Sequence, residues 1–521
     1  MGATSRLLRP CMAAVQQAPD AVVLRAVGAL TSKPYAFTSR SWELKSTSSV
    51  DVLDGVGSNI RVDTRGTEVM RILPRLNEDV NEEWISDKSR FSYDGLKTQR
   101  LNQPMVRDKD NNFVPIGWDK ARILMKNVVL KLDRHNAERK YVAHAVLGPY
   151  VDMEAAIQLR AQFLWHFPNV VFTLQEQPSF AVSDFRHNFK LNTGLAGMEQ
   201  ADVILLVGCN PRKEAPLLNT RLRKAVLHHG ARVASVGCYA NLTYAQEHLG
   251  ITPATLKQLA DGTHPFCDVL KSAQNPVIIV SNKALQRADG ESIFAASQKI
   301  ASSCGMIRDD WDGFNVLHQG ANTVGLMEIG FDTRDSAAYK NDGKQLWQDS
   351  KLLFLMGADD VDGMEVADDA FVVYQGHHGD RGAAVANLVL PGPAYTEKSA
   401  TYVNTEGRVQ GSKRAFFPPG HARDDAETLA ALFGEDWQPE AAANAGMELL
   451  APGALNAMTA PRLLPTDRIP IKGAPDVHLE FLEAPLGAPI DNFYMTDPIT
   501  RASAVMAKAT RLSKVNNFDV V

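Results

Sequence analysis

The chain has 521 residues, of which 45% are hydrophobic and 22% charged, and its formal net charge is −5. The acidic balance gives no electrostatic case for nucleic acid or an anionic membrane surface as the main partner, and we find no apolar run long enough to span a bilayer. The five cysteines form no CxxC pair, which argues against a disulfide framework or a cysteine-ligated zinc or iron–sulfur site.

The N-terminal residues 1–26 have the composition of a targeting segment. Arg6 and Arg9 lie among apolar residues, and no acidic residue precedes Asp20. A basic, acid-poor segment that can form an amphipathic helix is typical of a mitochondrial transit peptide. The composition therefore predicts a transit peptide here, and the alternative is an ordinary flexible N-terminus.

Four polar positions between residues 51 and 86 follow the spacing of a metal site. If Asp51, Asp54, Ser58 and Ser86 were cysteines, the stretch would read C-x2-C-x3-C-x27-C, a plausible ligand set for an iron–sulfur cluster. Carboxylate and hydroxyl oxygens are hard ligands, whereas these clusters need soft thiolates. From the residues alone, the spacing is either the trace of a former metal site or a coincidence.

The strand pattern changes along the chain. Residues 59–75 predict a hairpin, because two β-rich runs flank Arg65 and Gly66. Beyond residue 110, short apolar runs that end in glycine or polar turns alternate with longer amphipathic segments, as expected for buried parallel strands joined by helices. The apolar runs are residues 141–148, 202–212, 231–238, 276–282, 352–360 and 371–376. The pattern predicts α/β layers with mainly parallel sheets.

Two groups within these layers are candidates for a site. The turn at Gly208–Asn210 follows a predicted strand, where α/β proteins bind ligands, although a structural turn is the simpler interpretation. His377 and His378 suggest a metal site. Adjacent side chains in an extended run point to opposite faces, so both rarely bind one ion.

A polar group follows these histidines. Glu397, Asn404, Glu406 and Arg408 lie within twelve residues of each other. They could hold a ligand, or they could brace a loop through charge-assisted hydrogen bonds. Bracing is the safer interpretation.

The C-terminal region is predicted to be less regular. Residues 426–490 are rich in alanine, proline and glycine, which indicates a linker with one short helix. Residues 491–521 predict a C-terminal helix, because Thr496 or Asp497 can cap it and Pro498 falls in its first turn.

Long stretches of this chain resemble the large iron–sulfur subunit family of mitochondrial respiratory complex I. The stretches NEEWISDKSRFSYDGLKTQRLNQPMVR (81–107), ADVILLVGCNPRKEAPL (201–217) and LPGPAYTEKSATYVNTEGR (390–408) carry the resemblance. Residues 27–40, 50–62, 68–84, 374–380 and 493–503 extend it over most of residues 27–425 and the C-terminal end.

The resemblance implies an α/β, molybdopterin-oxidoreductase-like multidomain fold with mainly parallel sheets, preceded by a small β-rich degenerate iron–sulfur subdomain. On this interpretation Asp51, Asp54, Ser58 and Ser86 mark a relic of a cluster site whose ligands were replaced. The implied divisions are a transit peptide (1–26), the remnant end of a ferredoxin-like iron–sulfur part (27–48), a degenerate 4Fe-4S subdomain (49–107), molybdopterin-oxidoreductase-like α/β domains (108–425), a linker-rich segment (426–490) and a C-terminal helix (491–521).

The chain departs from the family pattern upstream of Val27. The family's last cluster cysteine precedes the string VGAL by two residues, whereas Arg25 occupies that position here. The family's other cluster-binding motifs are missing from residues 1–26. We therefore hypothesise a divided subunit, in which a separate cysteine-rich half assembles with this chain.

The resemblance further implies a structural and assembly component of the matrix arm of NADH:ubiquinone oxidoreductase, which supports electron transfer from NADH to ubiquinone. We expect this chain to bind no cofactor, the complex carrying FMN and iron–sulfur clusters elsewhere. We also expect no catalytic, cofactor-binding or metal-binding residues of its own.

Expected partners are other matrix-arm subunits, above all the separate cysteine-rich half, with no nucleic acid and no direct membrane span. The expected location is the matrix side of the mitochondrial inner membrane. Two alternatives stay open: a free molybdopterin-type oxidoreductase, and an assembly or interaction factor outside the complex.

Overall fold

The computed structural model describes residues 32–134, 143–167, 170–176, 178, 185–331, 350–361, 366–433, 462–463 and 479–515. The predicted transit peptide, most of the predicted linker and residues 516–521 lie outside these ranges. Among the described residues, no helix is both long and apolar enough to cross a membrane.

The strands follow the chain from end to end. They are β1 (Lys45–Val50), β2 (Asn59–Arg65), β3 (Glu68–Pro74), β4 (Met105–Arg107), β5 (Phe113–Pro115), β6 (Ala143–Leu147), β7 (Val170–Leu174), β8 (Val203–Val207), β9 (Arg232–Val236), β10 (Glu247–Gly250), β11 (Pro276–Ser281), β12 (Phe314–Leu317), β13 (Leu352–Met356), β14 (Phe371–Gly376), β15 (Leu388–Pro391), β16 (Ala400–Val403), β17 (Arg408–Ser412) and β18 (Arg462–Leu463).

The helices lie mostly between the parallel strands. They are α1 (Asp87–Phe91), α2 (Trp118–Arg134), α3 (Met153–His166), α4 (Pro211–Glu214), α5 (Pro216–His229), α6 (Pro253–Ala260), α7 (Phe266–Ser272), α8 (Asn282–Leu285), α9 (Gly290–Ser303), α10 (Thr323–Glu328), α11 (Arg381–Val385), α12 (Asp425–Phe433), α13 (Pro498–Arg501) and α14 (Ala504–Val515). Short 3₁₀ turns occur at Ser41–Glu43, Ser92–Lys97, Arg186–Asn188 and Gly197–Gln200.

A small antiparallel sheet of three strands, β1-β2-β3, comes first. The β2–β3 turn contains Gly66 at φ +64°, a left-handed conformation that glycine adopts without steric cost. The hairpin predicted over residues 59–75 is therefore confirmed. Val62 and Ile72 are paired across β2 and β3, and both pack into a core cluster with Tyr402 of β16. This packing fixes the small sheet against the rest of the chain.

The first parallel sheet has five strands in the order β10-β9-β8-β11-β12. In β8, Leu205 and Val207 belong to the core cluster on one face, and Ile204 and Leu206 belong to the cluster on the other. This alternation is typical of a strand covered on both faces, which explains its continuous apolar sequence.

The second large sheet has seven strands in the order β5-β4-β15-β14-β13-β6-β7. The strands from β15 to β7 run parallel, and β4 and β5 form an antiparallel edge. Leu353 and Leu355 of β13 pack on one face, and Leu352 and Phe354 pack on the other. The predicted α/β fold class with mainly parallel sheets is confirmed.

Strands β8 and β13 end in the same way. Gly208 and Gly357 follow them at φ +56° and +58°. The Gly208 N–H donates to the Val236 carbonyl at the end of β9, and the Gly357 N–H donates to the Gln375 carbonyl in β14, each at 2.8 Å. The two strand ends are thus structurally equivalent, as their similar sequences predicted.

The C-terminal segment returns to the small N-terminal sheet region. Asp497 caps α13 by accepting the Thr500 N–H at 3.0 Å, and Pro498 lies in the first turn, as predicted. Gly95 lies so close to α13 that an added Cβ would meet the Ile499 carbonyl oxygen at 2.0 Å. Residues far apart in sequence therefore form one packed unit here.

Candidate functional site

The structure brings the four metal-spaced positions together at the end of the small sheet. The Asp51 N–H donates to the Ser58 carbonyl at 2.8 Å, which continues the β1–β2 ladder one pair beyond Val50 and Asn59. Residues directly opposite each other in a ladder place their side chains on the same face. Asp51 and Ser58 therefore face the same side, with the loop that contains Asp54 between them.

Ser86 joins this group through the helix that follows. It caps α1 by accepting the Ser89 N–H at 3.1 Å, and the two serine Oγ atoms are 2.7 Å apart. The Ser89 hydroxyl in turn donates to Asp51 Oδ2. We call Asp51, Asp54, Ser58 and Ser86 the Asp–Ser site.

The Asp–Ser site is withdrawn from solvent. All four of its residues are at most 2% exposed. Within the described part of the chain, Asp54 Oδ2 and Ser58 Oγ have no hydrogen-bond partner. Buried oxygens in this state carry a desolvation cost that a partner would remove.

Burial sets the electrostatics of the two carboxyls. Desolvation, with a smaller contribution from the neighbouring Asp54 charge, raises the pKa of Asp51 to about 7. Desolvation also raises the pKa of Asp54, and the nearby Lys88 ammonium opposes that rise. Lys88 Nζ donates to Thr496 Oγ1 at 3.0 Å and lies 5.3 Å from the centre of the Phe493 ring, so its ammonium is held by the C-terminal segment.

The loop of the Asp–Ser site is tied to the α/β body by its backbone. Gly55 packs so closely that a Cβ would meet the His318 carbonyl oxygen at 2.1 Å. The Gly55 carbonyl accepts the Thr405 N–H at 2.9 Å, and the Val56 carbonyl accepts Asn404 Nδ2 at 2.8 Å.

The polar group around Asn404 makes bracing contacts throughout. Glu406 Oε2 accepts the Leu195 N–H at 2.9 Å, and Glu406 Oε1 accepts Arg408 Nε at 2.7 Å. Glu397 receives the guanidinium of Arg100. These contacts join separate segments of the chain, in agreement with the predicted bracing role.

His377 and His378 differ from the expected arrangement. Their rings are perpendicular, with centres 4.7 Å apart, and their Nδ1 atoms are 2.5 Å apart. The prediction of opposite faces is wrong because β14 ends at Gly376, so the alternation of a strand no longer applies to these residues. Burial lowers the pKa of both imidazoles. The described residues contain no group of three or more His, Cys, Asp or Glu side chains suited to a metal ion.

A cavity of about 430 Å³ lies where the carboxyl ends of the two parallel sheets meet. Its lining includes Glu176 after β7, Glu214 at the end of α4, Lys283 after β11 and Asp359 beyond Gly357. Crevices at the carboxyl ends of parallel strands are the usual ligand sites of α/β proteins. Leu53 and Lys88, from the region of the Asp–Ser site, line the same cavity.

The deepest charged groups of this cavity are carboxyls. Desolvation raises the pKa of Glu176 to about 7 and that of Asp359 to about 6. Desolvation also raises the pKa of Glu214, against hydrogen bonds from Ser281, Gln319 and the Asn210 backbone. Such groups can exchange protons near neutral pH or attract a cation.

Several residues of these sites escaped the sequence analysis. Ser89 left one signal, since it stands three residues after a helix-capping serine. Asp359 left another, because it follows the glycine of a predicted strand end. Glu176 and Lys88 left no signal, since their roles depend on contacts between distant segments. The turn at Gly208–Asn210 lies near the cavity through Glu214, whose Oε2 accepts the Asn210 N–H at 2.6 Å.

Family models match most of the chain. Residues 100–435 match a model described as molybdopterin oxidoreductase. Residues 44–94 match one described as NADH-ubiquinone oxidoreductase NDSU1/NuoG-like, 4Fe-4S domain. Residues 476–509 match one that describes the C-terminal part of an NADH-ubiquinone oxidoreductase subunit.

Curated relatives are similar over almost the whole chain. The mitochondrial NADH dehydrogenase [ubiquinone] iron-sulfur protein 1 of Solanum tuberosum is 43% identical over 94% of this chain and 64% of its own length. The NADH-ubiquinone oxidoreductase 75 kDa subunit of Reclinomonas americana is 41% identical over 94% of this chain and 72% of its own. The mitochondrial 78 kDa subunit of Candida albicans is 42% identical, over 92% and 66%. The chain thus spans about two thirds of the length of these relatives.

The match to a 4Fe-4S domain contradicts the expectation that this chain binds no cofactor. That expectation rested on the cysteine count, and residues 44–94 belong to a domain family described by an iron–sulfur cluster. The side chains of the Asp–Ser site do not fit a cluster, since carboxylate and hydroxyl oxygens replace the thiolates that one needs. We derive no electron-transfer step through a cluster at these residues.

The molybdopterin oxidoreductase match implies a pterin cofactor, and the cavity is the place to test its fit. Molybdopterin carries a phosphate group. The buried lining groups Glu176, Glu214 and Asp359 are carboxyls, which disfavour a phosphate. The cavity residues therefore do not fit this cofactor, and we route no chemistry through it.

Proposed function

This chain belongs to the family of the NADH-ubiquinone oxidoreductase 75 kDa subunit, and from that premise we propose that it is a component of mitochondrial complex I that supports electron transfer from NADH to ubiquinone. The observation that carries the proposal is the 41% identity to the Reclinomonas americana subunit over 94% of this chain. The order of the three matching family models along the chain agrees with it.

The role that we propose is positional. The backbone contacts of Gly55 and Val56 fasten the 4Fe-4S-like segment to the molybdopterin-oxidoreductase-like body. Burial and hydrogen bonding around a cluster tune its reduction potential. A subunit that packs against clusters can therefore influence electron flow without catalytic residues of its own. That this chain has no catalytic residue stays a prediction.

The partners in this proposal are other subunits of complex I, and the location is the matrix side of the mitochondrial inner membrane. The mitochondrial origin of the relatives from Solanum tuberosum and Candida albicans supports the organelle. A separate cysteine-rich half stays a more specific proposal, to be tested in the same experiment as the partners.

The test is a native gel of detergent-solubilised mitochondria, followed by mass spectrometry of the NADH-oxidising band. We expect this chain in that band at one copy per complex, together with a cysteine-rich polypeptide. A soluble matrix enzyme serves as the control that must run elsewhere. Absence of this chain from the band would contradict the proposal. Its presence beside a full-length 75 kDa subunit would contradict only the separate half.

A second measurement separates a structural role from a coincidental association. Depletion of this chain should lower NADH:ubiquinone activity and the amount of assembled complex in equal proportion. If assembly and activity both persist after depletion, a role in the complex is contradicted, and pterin and metal analysis of the purified chain becomes the next step.

A further inference from the structure

We propose that the Asp–Ser site binds a hard divalent cation of the Mg²⁺ or Ca²⁺ type, held by the carboxylates of Asp51 and Asp54 with the Ser58 hydroxyl. The proposal starts from the disagreement between a segment of a 4Fe-4S family and a donor set of oxygens. Carboxylate and hydroxyl oxygens are the donors that hard cations prefer.

The ladder geometry places these donors on one side of the loop. Asp51 and Ser58 form a directly opposed pair at the end of β1 and β2, joined by the 2.8 Å hydrogen bond from the Asp51 N–H. Ser49, two residues before Asp51, lies on the same face of β1. Oxygen side chains therefore converge from both strands, with Asp54 in the loop between them.

Two oxygens of the site point to an additional ligand. Asp54 Oδ2 and Ser58 Oγ belong to residues that are 2% and 1% exposed, and neither oxygen has a hydrogen-bond partner among the residues that the structure describes. Asp54 Oδ1, by contrast, accepts the Val56 N–H at 3.0 Å. A buried carboxylate oxygen and a buried hydroxyl in one loop are a pair of donors that a cation would use.

The charges nearby leave room for a cation. Lys88 is the ammonium closest to the two carboxylates in the electrostatics of the site, and it leaves one negative charge in excess. Its Nζ is engaged with Thr496 Oγ1 and the Phe493 ring, on the side of the C-terminal segment. The ammonium therefore does not take the place of an ion between Asp51, Asp54 and Ser58.

The surroundings supply the other needs of a metal site. Ser89 donates to Asp51 Oδ2, the kind of outer hydrogen bond that orients a ligating carboxylate. Gly55 is fixed against the His318 backbone, which holds the loop in one conformation. Leu53 and Lys88 border the 430 Å³ cavity, which gives an ion a route to the site.

The test uses the full-length chain stripped with a chelator. Mg²⁺, Ca²⁺ and Mn²⁺ are each titrated calorimetrically, metal content is counted by mass spectrometry, and Mn²⁺ binding is followed by electron paramagnetic resonance. We expect one ion per chain and a raised melting temperature. Asp54→Asn should abolish binding, and Ser58→Ala should weaken it. Ser89→Ala should weaken it about 10–100-fold, as loss of an outer partner does.

The variants are chosen so that folding does not decide the answer. Asn at position 54 keeps the acceptor for the Val56 N–H and removes only the charge, so the metal-free melting temperature of Asp54→Asn should equal or exceed that of the parent chain. Asp110→Asn, in an exposed turn, is the matched control and should leave binding unchanged.

Three results would overturn the proposal. The first is that the stripped chain takes up none of the three ions. The second is an ion that binds equally well to the parent chain, Asp54→Asn and Ser58→Ala, which would be an adventitious ion only. The third is a visible iron–sulfur chromophore after anaerobic reconstitution with iron and sulfide that Asp54→Asn removes, because it would place a cluster at these oxygens.

Discussion

Arg100 and Glu397 form a two-point ion pair across 297 residues of sequence, with both the Nη1–Oε1 and the Nη2–Oε2 distances at 2.5 Å. Their side chains are 8% and 0% exposed. Arg100 Nη1 also donates to the Leu96 carbonyl at 2.9 Å, and Glu397 Oε2 accepts the Ala394 N–H at 2.9 Å. The pair thus connects the segment after the small sheet to the loop before β16.

Breaking this pair should destabilise the protein strongly. Glu397→Gln leaves a buried guanidinium without its countercharge, which costs about 3–5 kcal/mol. The midpoint of urea unfolding measures the loss. The control is Glu247→Gln, which breaks the exposed pair of Arg232 and Glu247, with side chains 56% and 53% exposed; that change should cost less than about 1 kcal/mol. Equal effects of the two substitutions would contradict the structural role of Glu397.

Gly55 should be irreplaceable for steric reasons. In Gly55→Ala the new Cβ would lie 2.1 Å from the His318 carbonyl oxygen, so one of two backbone segments must move. We expect a loss of at least about 1–3 kcal/mol, as for other overpacked positions, and faster proteolysis within residues 51–58. Gly117→Ala is the control, since a Cβ there meets no atom within 4 Å. A Gly55→Ala chain as stable as Gly117→Ala would mean that the loop is not fixed against the body.

The sequence predicts the features that depend on neighbouring residues. The apolar run of β13 predicted a buried parallel strand because both faces of that strand are covered, and Asp497 predicted the start of α13 because a cap acts within one turn. The partnership of Arg100 with Glu397 and of Lys88 with Thr496 could not be predicted, because each pair joins segments hundreds of residues apart. The spacing of Asp51, Asp54, Ser58 and Ser86 indicated a common site, but only the ladder pair of Asp51 and Ser58 places their side chains on one face.

Asp359 should make stability fall as the pH rises. Burial raises its folded-state pKa from 3.8 to about 6, despite hydrogen bonds from Tyr374 and the Gly382 N–H, and the nearby charges are Asp380 and Arg501. Between these pH values the unfolded chain releases the proton and the folded chain keeps it, so the free energy of unfolding decreases with pH. The decrease amounts to about 3 kcal/mol, complete above pH 6.

The variant Asp359→Asn isolates this contribution, because the other buried carboxyls titrate in both chains. The difference in unfolding free energy, variant minus parent, should rise by up to about 3 kcal/mol between pH 4 and pH 7. Asp360→Asn, at a neighbouring position whose side chain is 60% exposed, should give a flat difference. A flat difference for Asp359→Asn as well would show that Asp359 is ionised throughout this range in the folded protein.

Lys398 should stabilise the α/β body by separating two buried carboxylates. Its Nζ lies 2.5 Å from Asp152 Oδ2 and 2.9 Å from Asp425 Oδ2, and its side chain is 7% exposed. Asp152 caps α3 and Asp425 begins α12, so the ammonium joins two helices. Lys398→Met leaves two negative charges buried, for which we expect a loss of about 3–5 kcal/mol at neutral pH. The loss should shrink as the pH is lowered towards 4, because protonation then neutralises the carboxyls. Adding Asp425→Asn to Lys398→Met should recover part of the stability, whereas Asp425→Asn alone should not stabilise. A loss from Lys398→Met that is independent of pH and unaffected by Asp425→Asn would assign the effect to packing of the lysine stem instead of its charge.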